Sequence, residues 1–158
     1  MSLRTFKRIE LAESQLKTAI RLFVSGGDKF SAISLAGAAD VILCRLVSNI
    51  EKENFTAFLL KQKAAKGGES ETIQSLGRCI NDTLFINDLK HMDDGEDGYI
   101  DINIEECTLG AILKAIANYV ILVGPNKDFV QAFLAWGQLN LDPKKYNIYC
   151  DPNWKPIT

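Results

Sequence analysis

What this chain lacks narrows it first. Its 158 residues include one histidine, four cysteines and four prolines. Cys44, Cys79, Cys107 and Cys150 lie far apart, and no CxxC pair occurs. That spacing excludes a zinc ribbon and predicts reduced thiols, most of them on buried helix faces, instead of a disulfide framework. There is no Walker loop, no GxGxxG fingerprint and no GxSxG elbow, so the phosphate cradles and the nucleophile turn that those motifs mark are missing. Neither sign of charge dominates. The net charge is -2 and the pI about 5.4, which argues against broad electrostatic binding to nucleic acid and gives no reason to expect a DNA partner. The first residues have no apolar core of the kind a signal peptide needs. The most apolar run, Leu109 to Val123, carries Lys114 and Asn118 and is shorter than the roughly 20 apolar residues that a bilayer span requires. The expectation is a cytoplasmic protein without a membrane segment.

What is present is helical periodicity. Phe6, Ile9, Ala12, Leu16, Ile20 and Phe23 recur at helical spacing, predicting a helix from about Arg4 to Ser25. Ser25-Gly26-Gly27-Asp28 stops it, with Asp28 placed to cap the next helix. That helix runs from about Lys29 to Ile50 and mixes Ala32, Ala36, Gly37 and Ala39 with Ile33, Val41, Leu43 and Leu46. Small residues allow close approach, so it is read as the hairpin partner of the first. Asp40 and Arg45, both inside it, are read as solvated or paired. Asn54 caps a third helix with Phe55, Phe58 and Leu59 as its apolar face, and Ser70 a fourth that reaches Met92. Asn103 and Glu106 form a capping box for a fifth, apolar nearly all round. Asn126 caps a short sixth bearing Phe129, Val130, Phe133, Leu134 and Trp136. Three of the four prolines follow Gln138, and no helical period continues there. The expected fold is all-α: a single bundle of about five to six helices over residues 1–137, with an extended C-terminal tail over 138–158 packed on it.

The polar chemistry concentrates between Ile80 and Asp101. Ile73, Leu76, Ile80 and Leu84 set the buried stripe of the fourth helix. Continuing by three and four residues lands on Asn87 and then His91, which predicts that both face the core near the helix end. Asn87, Lys90 and His91 are therefore the catalytic candidates. A protonated histidine is favoured at a helix C-terminus, and Asp93 and Asp94 add to that. The run that follows echoes a calcium loop. Asp93, Asp97 and Asp101 hold its first, fifth and ninth places, with glycine at the sixth. Gly95 and Ile104 stand at the third and twelfth, where oxygen ligands belong. Asp93, Asp97 and Asp101 are the metal candidates.

Asn87-Asp88-Leu89-Lys90-His91 resembles the end of the third helix in HEPN-type proteins, which are compact helical bundles, many of them dimeric, several of them ribonuclease toxins or their relatives. Active members carry an Arg directly before the polar residue; here Ile86 stands there. A longer resemblance is to bacterial helical proteins of similar size that share an AIxLFxxGGDxxSAxxLAGAA-like opening, found here from Ala19 to Ala39, and an NxxKH helix end followed by an acidic loop. The resemblance implies the bundle fold, a homodimer, and a nucleotide or RNA connection. With Ile86 in place of the arginine, the first expectation is a non-catalytic interaction or regulatory module. Two alternatives stand beside it. One is a divergent HEPN-type ribonuclease or nucleotide-binding protein using His91, with Asn87 and Lys90 in support. The other is metal or small-ligand binding at the acidic loop 93–101. No cofactor is implied.

Overall fold

A computed structural model describes residues 2–68 and 71–142. Among them it has six α-helices and no strand: α1 (Arg8–Val24), α2 (Lys29–Asn49), α3 (Phe55–Ala65), α4 (Ile73–Thr83), α5 (Ile104–Val123) and α6 (Asp128–Asn140). The all-α bundle expected from periodicity is the observed fold. Two compact units divide the chain after Leu122. The first is built on α1 to α5. In the second, the Phe133 and Trp136 rings stack with centroids 5.7 Å apart, and Gln131 donates to the Pro125 carbonyl at 2.6 Å. The chain stays helical through Asn140, past the boundary expected at Gln138. The tail residues Tyr146, Ile148, Tyr149 and Trp154 lie outside the described residues, as does the expected cap Ser70.

Helices α1 and α2 form the expected hairpin. The α1 end is a Schellman motif: Gly27 N–H donates to Leu22 O at 2.7 Å and Gly26 N–H to Phe23 O at 3.3 Å. Gly26 takes φ +73°, a conformation that costs glycine nothing sterically. Asp28 then caps α2 by accepting from Phe30 N–H at 3.1 Å. Ala12, Leu16 and Ala19 of α1 and Ala32, Ile33, Ala36, Ala39, Leu43 and Val47 of α2 are fully buried. Two expected members of these stripes are not: Phe6 precedes α1 and is exposed, and Val41 is 61% exposed. Phe58 of α3 is likewise exposed, and Thr56 is buried in its place.

Helix α5 lies beside α2 and runs in the same direction. Lys29 pairs with Glu105 at 3.1 Å near the start of both helices, and about three turns on Lys114 donates to Asp40. Asn103 caps α5 as expected, accepting from Glu106 N–H at 3.3 Å. Tyr119 is fully buried and donates to Glu13 of α1 at 3.0 Å. Burial, and then the adjoining Glu13 carboxylate, hold its hydroxyl above the ordinary tyrosine range, so it stays a donor. Helix α6 departs from expectation at its start, where Lys127 rather than Asn126 is the cap residue.

The end of α4 is the main correction. The helix stops at Thr83, not Met92. Phe85 N–H donates to Asp82 O and Ile86 N–H to Asn81 O, both at 3.0 Å. This is again a Schellman motif, with Phe85 at φ +57° in the glycine position. The reversal turns Ile86 inward, where it is buried. A Cβ on Gly37 of α2 would lie 2.6 Å from Ile86 Cγ2, and one on Gly110 of α5 2.6 Å from Leu84 Cδ2. The segment Leu84–Ile86 is thus wedged against two glycines on facing helices.

Helix α2 ends the same way: Lys52 N–H donates to Val47 O at 3.2 Å, and Glu51 takes φ +57°. Glu51 is exposed, so glycine there would relieve backbone strain and lose little else. Glu51→Gly is expected to raise the unfolding free energy by about 0.5–1 kcal/mol. Gly37→Ala is expected to lower it by about 1–2 kcal/mol despite alanine's better helix propensity, because the branched Ile86 side chain must move. Urea unfolding followed by circular dichroism measures both.

Candidate functional site

The strongest polar constellation lies away from His91. Asp40 of α2 and Lys114 and Asn118 of α5 are all buried. Lys114 donates to Asp40 Oδ2. Asn118 Nδ2 donates to Asp40 Oδ1 at 2.7 Å, so both carboxylate oxygens are engaged. Asn118 Oδ1 in turn accepts from Phe55 N–H at 2.8 Å, one of the first amides of α3. Asn54 caps the same helix through Ala57 N–H at 2.9 Å. Lys114 also reaches Asn81 Oδ1 of α4, at 3.4 Å.

Asp40, Lys114 and Asn81 of this network line a cleft of about 660 Å³, which brings residues of α1 to α5 together. Val41, Ile42 and Leu46 of α2 and Ile73 and Gly77 of α4 make apolar walls, Thr56 and Asn81 supply polar groups, and Arg8 and Arg45 also line it. The volume is in the range of small-molecule sites, and apolar walls with a few placed polar groups are their usual lining. Cys44 lines it as well. Burial pushes the Cys44 thiol up, the Asp40 carboxylate adds to this, and Lys114 and Arg45 oppose it.

The sequence candidates fall elsewhere. Asn87, Lys90 and His91 are exposed, in the turn that follows α4. Asn87 Nδ2 donates to Asp82 Oδ1 at 3.3 Å, and the amides of Lys90 and His91 donate to the Asn87 carbonyl at 3.0 and 3.1 Å. The expectation that Asn87 and His91 face the core is therefore corrected. The reversal at Phe85 breaks the helical phase that Leu84 would have passed to them. Asp93, Asp97 and Asp101 are exposed in the loop. Asp97 accepts from Tyr99 N–H at 3.0 Å in an Asx turn, and among the described residues no three His, Cys, Asp or Glu side chains gather into a metal-holding group.

Asp40, read as solvated or paired, is paired; sequence reasoning did not name Lys114 as its partner, although each carries a signal. Ile33, Ala36, Asp40, Leu43 and Val47 follow one stripe at spacings of four and three, as do Cys107, Ala111, Lys114 and Asn118. An anion on one apolar stripe and a cation on another are the marks of a buried pair. The membrane expectation also shifts. Both α2 and α5 are long and apolar enough, by length and composition, to cross a bilayer, and 44% and 56% of their apolar windows are buried inside the protein. Helix α5 meets that length because it begins before Leu109, at Ile104.

Comparison with protein-family models, curated proteins and solved structures finds no match to this chain.

Two outcomes follow from this geometry. Lys114→Met is expected to cost about 3–5 kcal/mol, since it leaves Asp40 charged and buried, and combining it with Asp40→Leu is expected to restore most of that loss. Chemical denaturation of the two variants checks the pair. The thiols should also separate. Cys79 is exposed, against the expectation that its helix buries it, whereas Cys107 is buried and its thiol is raised chiefly by that burial. Alkylation mapped cysteine by cysteine in the native protein should modify Cys79 well before Cys44 or Cys107.

Proposed function

We propose that this is a cytoplasmic, HEPN-like helical module that binds a small ligand in the cleft between α2 and α4 and performs no catalysis of its own. The observation that carries the reading is the cleft itself, whose floor is the satisfied Asp40–Lys114 pair rather than a nucleophile and base. Position 86 supports the non-catalytic part. Where the resembling active proteins place an arginine, Ile86 is buried against Gly37. An ammonium or guanidinium group near a scissile phosphate is what a ribonuclease site would need, and Lys90 and His91 are both exposed. Helices α2 and α5 are read as core helices because Asp40 and Lys114 at their middles are committed to each other. A regulatory role fits a ligand cleft in a small bundle, and the homodimer suggested by the resemblance belongs to the same proposal.

Two measurements test it. Incubation with total RNA should leave the RNA intact for both wild type and His91→Ala; cleavage that His91→Ala abolishes would overturn the reading in favour of a nuclease. Thermal-shift screening against nucleotides and other small metabolites should find a stabilising ligand, by about 2.7 kcal/mol at 100 times its dissociation constant. Val41 is largely exposed and lines the cleft, so Val41→Trp should block that response without unfolding the bundle.

A further inference from the structure

The cleft is neutral at its floor and positive around it. Asp40 and Lys114 cancel each other, and Asp40 is the only carboxylate among the lining residues. Arg8 and Arg45 also line the cleft, both are exposed, and among the described residues neither has a carboxylate partner. Among the described residues the ion pairs all use lysines: Lys17 with Glu13, Lys29 with Glu105, Lys61 with Glu53, Lys63 with Glu71 and Lys114 with Asp40. Arg8 is also the first residue of α1, at the end of the helix dipole where a cation is disfavoured. Glu10, in the same turn, accepts from Lys7 N–H at 2.8 Å and makes no ion pair with Arg8. Two unneutralised guanidinium groups therefore share one cleft, and one of them sits where the backbone adds further positive potential.

A second feature points the same way. Thr56 is buried and lines the cleft, so its hydroxyl is a polar group at hand for an occupant. Lys114 has three N–H donors, of which Asp40 and, at the long distance of 3.4 Å, Asn81 take two.

We infer that the cleft takes a small organic phosphomonoester, its phosphate held by Arg8 and Arg45 and its body lying between Val41 and Ile73 toward Thr56 and Lys114. A guanidinium group matches two phosphate oxygens at once, and two such groups suit a dianion. The apolar walls give the organic body a place that free phosphate would leave empty. This rests on the ligand-cleft reading above and adds to it the charge of the ligand and the residues that read it.

Calorimetric titration of the whole chain with inorganic phosphate, ribose 5-phosphate, adenosine 5′-monophosphate and adenosine, on wild type, Arg8→Gln, Arg45→Gln and Val41→Trp, decides the matter. Both arginines are exposed, so their variants should keep the wild-type melting temperature. The expected result is that at least one of the two phosphomonoesters binds, more tightly than inorganic phosphate, and that adenosine does not. Each arginine variant should weaken that binding by about ten- to a hundredfold. Adenosine binding as well as its monophosphate, or arginine variants that bind like wild type while Val41→Trp does not, would overturn the phosphate assignment and leave the cleft reading standing. Phosphomonoester binding that Val41→Trp leaves unchanged would place the ligand elsewhere and overturn both. Absence of binding by either phosphomonoester at roughly 5 mM, weaker than any useful affinity, overturns the inference.

Discussion

Asp40 and Lys114 meet where neither could remain alone. Moving a carboxylate or an ammonium group out of water costs several kcal/mol even after the protein relaxes, and only a close partner with further hydrogen bonds offsets it. Here the offset is complete on the acidic side, because Lys114 takes one carboxylate oxygen and Asn118 the other. The consequence is positional more than energetic. Ala36, Gly37 and Ala39 of α2, close to Asp40, are small and would let a neighbouring helix slide. If α5 slid by one turn, Asp40 and Lys114 would both be buried and unpaired. The same network fixes the start of α3, since the second half of the Asn118 amide accepts from Phe55 N–H. One ion pair and one amide thus set the register of three helices.

That internal use of charge shapes the cleft above it. A floor whose ions are matched adds no net field, so the arginines around it keep theirs. The wall opposite α2 is of another kind. Helix α4 has no buried residue, although Ile73, Leu76, Ile80 and Leu84 lie at helical spacing along it. It is held at its far end, where Leu84 and Ile86 are wedged against Gly110 and Gly37, and by Lys63 and Glu71 just before its start. Elements with few buried apolar contacts open at low free-energy cost. A cleft between a rigid, register-locked α2 and a lightly anchored α4 has one fixed wall and one compliant wall, which suits entry and closure around a small molecule.

How much of this was legible in the sequence depended on which residue ended each helix. Gly26 announced the end of α1, and that boundary fell close to where composition placed it. The ends of α2 and α4 use the same hydrogen-bond pattern with Glu51 and Phe85 in the glycine place. Neither residue favours that conformation, so no local signal marks it. For α2 the error is one residue. For α4 it is decisive, because every facing assigned beyond Phe85 inherits the wrong phase. Periodicity therefore found the α-helical fold and most core stripes, and failed at the stretch on which the site assignment rested. The buried pair was legible in principle. It needed α2 and α5 to be recognised as neighbours, and two helices separated by more than fifty residues of chain give no sequence sign of adjacency.

The position of Phe85 also connects the two parts of the argument. A helix carried straight on through residues 84–91 would have turned Asn87 and His91 toward the core and Ile86 to one side. The left-handed residue instead sends Ile86 inward, and Gly37 is open enough to receive it. The buried Ile86 ties the end of α4 to α2, so the feature that leaves Asn87 and His91 exposed also anchors the α4 wall of the cleft. An arginine at position 86 would have to fit its longer side chain into the buried place that Ile86 fills against Gly37. The local backbone and the residue at position 86 are therefore matched to packing, and the polar chemistry of the bundle is left to the network beneath the cleft.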